Sequence, residues 1–240
     1  MFLYVNSGGF SRFLSRRSGS SKVAMSRLLF EIVILVSLCS STYSLCRDVK
    51  KGYHYYEGHS LVPKFVNAKI RHVTVMFEND TVSYVCDCEQ EPYPGCMYSW
   101  NKLWGSSRCG FTHSHHKDSD RFVWRRQILR DGITSGSAIE IAAYSYDKGV
   151  KPYDPPNSNL LQPFSTILQP NVAYTLKLDL SDPSNTIYEI NSSKIHERKV
   201  VNHANNCSSA QEGYELSLYY GGQCTAPSTV TVCYMNEFLY

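Results

Sequence analysis

Long apolar runs are scarce in this 240-residue chain. The most apolar segment, Leu28 to Leu38 (LLFEIVILVSL), contains Glu31 and is shorter than the roughly 20 residues a helix needs to cross a bilayer. Helical periodicity is missing as well: no stretch after residue 44 repeats its apolar residues at helical spacing over a useful length, which argues against a bundle or a coiled coil. Catalytic signatures are also lacking. The chain has no Gly-x-Ser-x-Gly elbow, no His-Glu-x-x-His, no P-loop and no dinucleotide fingerprint. Charge of one sign is short too, once the N-terminus is set aside. Residues 1–44 hold five bases (Arg12, Arg16, Arg17, Lys22, Arg27) and one acid (Glu31), against chain totals of 24 and 21, so the remainder is close to neutral. A near-neutral body has no field to recruit nucleic acid or an anionic membrane.

A leader is present. Basic residues precede the apolar run, and the small polar segment Cys39 to Ser44 follows it, the pattern of a secretory signal. Residues 1–44 are therefore expected to be an N-terminal extension plus signal peptide, with Met25 as a possible alternative start, and 45–240 one secreted domain. A signal anchor and a transit peptide are the alternatives. Removal of the leader leaves no expected membrane span.

Eight of the nine cysteines follow the leader: Cys46, Cys86, Cys88, Cys96, Cys109, Cys207, Cys224 and Cys233. An even number in an exported chain points to disulfides. Cys86 and Cys88 alternate and seek separate partners. Cys96 and Cys109 are placed to close a loop, and one of Cys207, Cys224 and Cys233 is expected to reach back to Cys46 or Cys86. Sequons at Asn79, Asn191 and Asn206 are candidate glycosylation sites.

Alternation dominates the body. Val172 to Leu180 places Val172, Tyr174, Leu176, Leu178 and Leu180 on one face and polar residues on the other. Similar runs are His72–Phe77, Val82–Cys88, Arg121–Gln127, Ala138–Tyr146, Thr186–Asn191, Glu215–Tyr220 and Thr229–Met235. Turn chemistry separates several of them, as at Asp147-Lys-Gly and Ser181-Asp-Pro-Ser. His196–Ser209 reads as a polar loop. About eight strands predict an all-β fold: a single antiparallel β-sandwich, jelly-roll-like and stapled by disulfides.

The richest segment for chemistry runs from Trp100 to Arg126 and holds all three tryptophans and three of the eight histidines. It and the strand after it carry Asn101-Lys-Leu-Trp-Gly105, His115-His-Lys-Asp-Ser-Asp-Arg-Phe-Val-Trp-Arg125 and Ile139-Glu-Ile-Ala-Ala-Tyr-Ser-Tyr-Asp-Lys-Gly149. This pattern resembles one in a set of small, uncharacterised β-rich proteins. The resemblance covers the middle third of the chain. It implies a β-sandwich unit and carries no functional residues across.

Two ligand chemistries fit the segment. His113 and His115, two apart, would project from one side of an extended chain, with His116, Asp118 or Asp120 completing a zinc or other divalent site. No cofactor is required by the sequence. Alternatively, Trp100, Trp104, Tyr144 and Tyr146 offer rings that stack on sugars, with Asn101 bonding hydroxyls. Trp124, flanked by Arg121 and Arg125, is expected in the core instead. Arg121, Arg125, Arg126 and Arg130 alternate in a way that divides them between two faces, and pairing with Glu140 on a neighbouring strand is the simpler expectation. Taken together, the expected function is a secreted, non-catalytic protein that binds an extracellular glycan or protein or serves in a matrix. The alternative is a secreted metal-dependent hydrolase using the His113–Asp120 patch.

Overall fold

The computed structural model describes residues 44–60, 62–83, 99–110, 114–129, 135–152, 158–204, 213–221 and 224–239. The leader, Cys86, Cys88, Cys96, His113, Arg130, Asn206 and Cys207 lie outside these residues. No helix among them is long and apolar enough to cross a membrane.

Among the described residues, twelve strands form two six-stranded antiparallel sheets, so the expected β-sandwich is what the chain builds. The first sheet has the order β1 (Ser44–Val49), β12 (Val230–Leu239), β3 (Ile70–Phe77), β8 (Ala173–Asp182), β9 (Asn185–Asn191), β10 (His196–Asn202). The second has the order β2 (Phe65–Val66), β11 (Gly213–Leu216), β4 (Asn101–Ser107), β5 (Ser119–Ile128), β6 (Ser135–Tyr146), β7 (Leu161–Leu168).

The period-two pattern explains the packing. In β8, Tyr174, Leu176, Leu178 and Leu180 are buried and the residues between them are not. β3 behaves likewise with Val73, Val75 and Phe77. These side chains meet Phe122, Trp124, Ile139 and Ile141 of the second sheet in one core. Trp124 is fully buried, as its neighbours predicted, and meets Phe77 edge to face with centroids 5.4 Å apart. Alternation makes Phe122 and Trp124 of β5 face this core, so Arg121, Val123 and Arg125 face away from it.

Cys46 of β1 and Cys233 of β12 are register partners and form a disulfide, so a C-terminal cysteine does reach back to Cys46. Cys109 and Cys224 are disulfide-bonded as well. Bridging residues 187 apart in sequence restricts the unfolded chain strongly.

Two expectations about elements are corrected. The predicted strand from Val82 starts instead inside a short helical turn, α1 (Asp80–Ser83). Asp80 explains it: its carboxylate accepts bonds from the backbone N–H and the hydroxyl of Thr231, at 3.2 and 2.8 Å, which anchors the turn against β12. The predicted loop at His196 begins with strand β10, paired with β9 from His196↔Asn191 to Asn202↔Asn185. It is an edge strand, so its polar composition is no obstacle to pairing.

Candidate functional site on the outer face of the second sheet

Strand register arranges the outward side chains of the second sheet in rows. Partners directly opposite in antiparallel strands share a face. One row runs Tyr55, Tyr219, Lys102, Val123, Ala142, Pro163. The next runs Leu216, Gly105, Arg121, Tyr144, Leu161. A third holds Ser107, Ser119 and Tyr146. Val123, Ala142, Tyr144 and Tyr146 form a small apolar cluster of their own, against which Trp100 and Leu161 pack.

Lys102 is central. Its Nζ lies 4.9 Å from the centroid of the Tyr144 ring and donates to the carbonyl of Trp100 at 2.7 Å. Burial, with the charge of Arg121 as a second cause, lowers its pKa to about 7. A lysine held there is largely uncharged in mildly alkaline water and able to accept a proton.

Arg121 is 7% exposed, and its Nε and Nη2 lie buried without a hydrogen-bond partner. Burial also lowers its pKa, while Tyr144, Tyr146 and Tyr214 act in the opposite direction. Gly105 lies directly opposite it. A Cβ there would come within 2.4 Å of the Arg121 Cβ, so only glycine leaves room for this arginine. An unpaired buried guanidinium fork is an anion receptor, because each unmet donor otherwise costs ~1–3 kcal/mol.

Tyr144 donates through its hydroxyl to that of Tyr146 at 3.5 Å. His115 and His116 close this end of the face, with rings 4.2 Å apart. The backbone N–H of His115 donates to the Tyr214 hydroxyl at 3.1 Å, and its Nδ1 shares a bond with the same oxygen at 3.0 Å. Burial lowers the His115 pKa to about 4, with Arg121 and His116 adding to it, and His116 is lowered for the same first reason. Both are therefore neutral at pH 7.

The far end holds Trp100, Arg125 and Glu140. The Arg125 guanidinium lies 4.4 Å over the Trp100 ring and forms an ion pair with Glu140 at 2.7 Å. The expected pairing with Glu140 is thus present for Arg125. Arg121 and Arg125 share the outer face, as the alternation expects.

The sugar-binding candidates are partly brought together. Trp100, Tyr144 and Tyr146 lie on this face, but Tyr144 and Tyr146 are buried in its apolar cluster rather than open for a ring to stack on, because neighbouring side chains pack against them. Trp104 does not: it is 1% exposed and packs in the main core. A bulge between Lys102 and Trp104 is the reason, because it breaks the alternation that would have put Trp104 beside Trp100 and Lys102. Asn101 is also buried, and its Oδ1 accepts from the Gly221 N–H at 2.6 Å.

The metal candidates do not converge. His113 lies outside the described residues. Asp118 accepts from the Lys148 N–H at 2.9 Å. Asp120 points the other way, into the space between the sheets, where it accepts from Ser145, Tyr188 and Thr186. Among the described residues, the one group of three potential ligands with atoms close together is Cys46, Glu78 and Cys233, whose two sulfurs are bonded to each other.

The sequence carries no site signal for Lys102, Ser119 or Tyr214; it offers Arg121 only as one of four arginines able to meet an anion, and Tyr219 only as one of several tyrosines suited to an interface. The signal available for Arg121 was its spacing of four from Arg125, which places both on one face of a strand.

No protein-family model matches the chain, and no curated protein matches it either. Among solved structures, the chain is similar to an alginate lyase at 11% identity and TM-score 0.47, with 81% of this chain and 79% of that one covered. A variant of that lyase in complex with alginate tetrasaccharide gives 10% identity and 0.49 over the same shares. An alginate lyase from Chlorella virus gives 10% identity and 0.43, covering 84% of this chain and 86% of that one. Likeness at this level concerns the two-sheet architecture alone. The expectation of a non-catalytic binding or matrix protein is corrected on the outer face itself, which sets a lysine with its pKa lowered to about 7 beside a buried guanidinium with two unmet donors.

Proposed function

We propose that this protein is an exported polysaccharide lyase that cleaves a uronate-containing glycan by β-elimination. The observation that carries the proposal is the juxtaposition of a near-neutral Lys102 with the unpartnered Arg121 fork and the Tyr144–Tyr146 pair on one face.

The chemistry needs three things. A uronate carries a proton on the carbon α to its carboxylate, and that proton becomes removable when the carboxylate charge is neutralised. Arg121 supplies the neutralising fork, which matches a carboxylate with two donors. Lys102 takes the proton through its free amine. Electrons from the broken C–H bond form a double bond to the β carbon, and the glycosidic C–O bond at that carbon breaks. The leaving oxygen receives a proton from Tyr146, whose hydroxyl accepts from Tyr144 and so keeps its own proton to give. Two chains result, one with an unsaturated uronate at its new end.

Hydrolysis fits less well. A glycosidase needs two carboxyl groups flanking the bond, whereas Glu140 of this face is tied to Arg125 and to the Ile128 N–H. The alginate lyases among the structural neighbours agree with an acidic glycan as substrate, and the disulfide agrees with work outside the cytosol.

The test is incubation with polymannuronate, polyguluronate and polyglucuronate, following the ultraviolet absorbance of the unsaturated product. The wild-type protein is expected to generate it on at least one polymer, and Lys102→Ala on none. No unsaturated product from any of the three would sink the proposal.

A further inference from the structure

The row that contains Lys102 does not stop there. Lys102 and Tyr219 exchange backbone hydrogen bonds in both directions, at 2.8 and 3.0 Å, and Tyr219 is in turn bridged to Tyr55. Side chains of such pairs emerge on one side, so Tyr55, Tyr219 and Lys102 stand in line across the strands. With strands about 4.8 Å apart, the line covers roughly 10 Å. That is room for a sugar ring beside the one at Lys102.

These rings are held in place. His54 lies parallel to Tyr219, with centroids 5.0 Å apart and planes 4° apart, and its Nδ1–H donates to the Tyr220 carbonyl at 2.8 Å. Tyr220 is buried and packs on Trp124, which ties the segment to the core. Tyr55 meets Tyr219 edge-on at 5.0 Å and stacks on His59 at 4.6 Å, yet it remains 51% exposed. A half-exposed Tyr55 and a partly buried Tyr219, both of fixed orientation and in line with a lysine, suit the apolar face of a pyranose.

We infer that Tyr219 and Tyr55 form a stacking subsite for a sugar unit next to the one cleaved, so that the protein takes an extended acidic glycan rather than a short one. The identity of the neighbouring unit rests on the lyase proposal; the stacking itself does not.

The experiment uses oligomers of mannuronate, guluronate and glucuronate from two to six units long. Binding to the full-length Lys102→Ala protein is measured by calorimetry, and kcat/KM is measured on the active protein. Adding Tyr55→Ala or Tyr219→Ala is expected to weaken binding of the longer oligomers by about tenfold and to leave the dimer unchanged, whereas Tyr219→Phe keeps the affinity. Because Tyr55 is exposed, its variant folds even where Tyr219→Ala does not. Oligomers that bind in this pattern without being cleaved by the wild type would remove the lyase and leave the subsite standing. A length dependence untouched by Tyr55→Ala, or no binding of any oligomer, overturns the subsite.

Discussion

Asp120 and Ser145 are joined across β5 and β6 by a hydrogen bond of 2.5 Å, on the side opposite the site. On its own strand Asp120 lies between Ser119 and Arg121, and Ser145 lies between Tyr144 and Tyr146. Alternation turns each neighbour outward, so one inner bond fixes the register of the outer face. Burial pushes the Asp120 carboxyl up, but the charges of His203 and Arg108, with bonds from His203 and Ser145, bring it below the ordinary carboxylate range. Arg108 approaches it at 3.3 Å and His203 at 3.2 Å.

Replacing Asp120 by Asn leaves the Arg108 guanidinium in the interior without its counter-charge. Removing one partner of a buried pair costs ~3–5 kcal/mol, which urea unfolding at neutral pH measures. The folded pKa is lowered, so this stabilisation is complete above the unfolded value of about 4 and is lost as pH falls below it. The variant is expected to show a shallower loss of stability in acid than the wild type. An unchanged acid slope would count against the ion pair.

Glu197 of β10 clips the edges of the two sheets together. Its carboxylate accepts from the backbone N–H groups and the hydroxyls of Ser165 and Thr166 on β7, at 2.8 to 3.0 Å. Burial acts to raise its pKa, yet these four bonds bring it down to about 2. Its contribution is therefore present above the unfolded pKa of about 4.3 and disappears as pH falls through 2. Glu197→Ala is expected to cost about 1–3 kcal/mol at pH 7 and little at pH 2, by thermal or urea unfolding at the two values.

The sandwich was legible wherever one face of a strand is buried and the other wet, as in Tyr174 to Leu180, because period two then carries the whole signal; Val172, expected on the same face, is exposed because it precedes the strand. β4 escaped notice since Asn101–Ser107 mixes polar, glycine and aromatic residues and contains a bulge. That bulge also misdirected the site. In an unbroken strand Trp100, Lys102 and Trp104 share a face, which is why the two tryptophans looked like a sugar platform and the lysine between them drew no interest. Arg121 was hidden differently. Its significance lies in what it fails to pair with, a property of the neighbouring strands rather than of its own sequence. The Tyr55–Tyr219–Lys102 row joins residues more than 100 positions apart, and no local pattern reports such a meeting.

Lys102 sets activity and stability against each other. With its pKa lowered to about 7, the free-base fraction grows as pH rises through that value, so kcat/KM on a cleavable uronate polymer is expected to climb to a plateau above pH 7. Between pH 7 and the unfolded lysine value near 10.4, the unfolded chain binds more protons than the folded one. Stability on this account rises with pH across that window. Lys102→Met removes the cost of holding an amine there. It is expected to abolish cleavage while raising Tm by a few degrees, about 1 kcal/mol for a chain of this size. Calorimetry and the ultraviolet assay on the same preparation check both halves.

Arg121 separates anion recognition from packing. The Nε and Nη2 donors are unmet, so truncation to Ala deletes no hydrogen bond from either, and the folded state is expected to lose little beyond the packing of the buried side chain itself. Catalysis depends on the fork itself. Arg121→Lys keeps the charge but loses the two-pronged geometry that meets a carboxylate, so it is expected to retain the fold, bind uronate oligomers weakly and cleave ~100-fold more slowly or worse. Arg121→Ala is expected to be inactive, and the Lys102 pKa, followed by NMR titration of its side chain, shifts upward, because the positive charge that helps keep Lys102 neutral is gone. A pH profile for oligomer binding, read by calorimetry on Lys102→Ala and on the same protein carrying Arg121→Lys, distinguishes a carboxylate receptor from a strut. Affinity for neutral and acidic oligosaccharides that falls equally in the second protein would make Arg121 a packing residue.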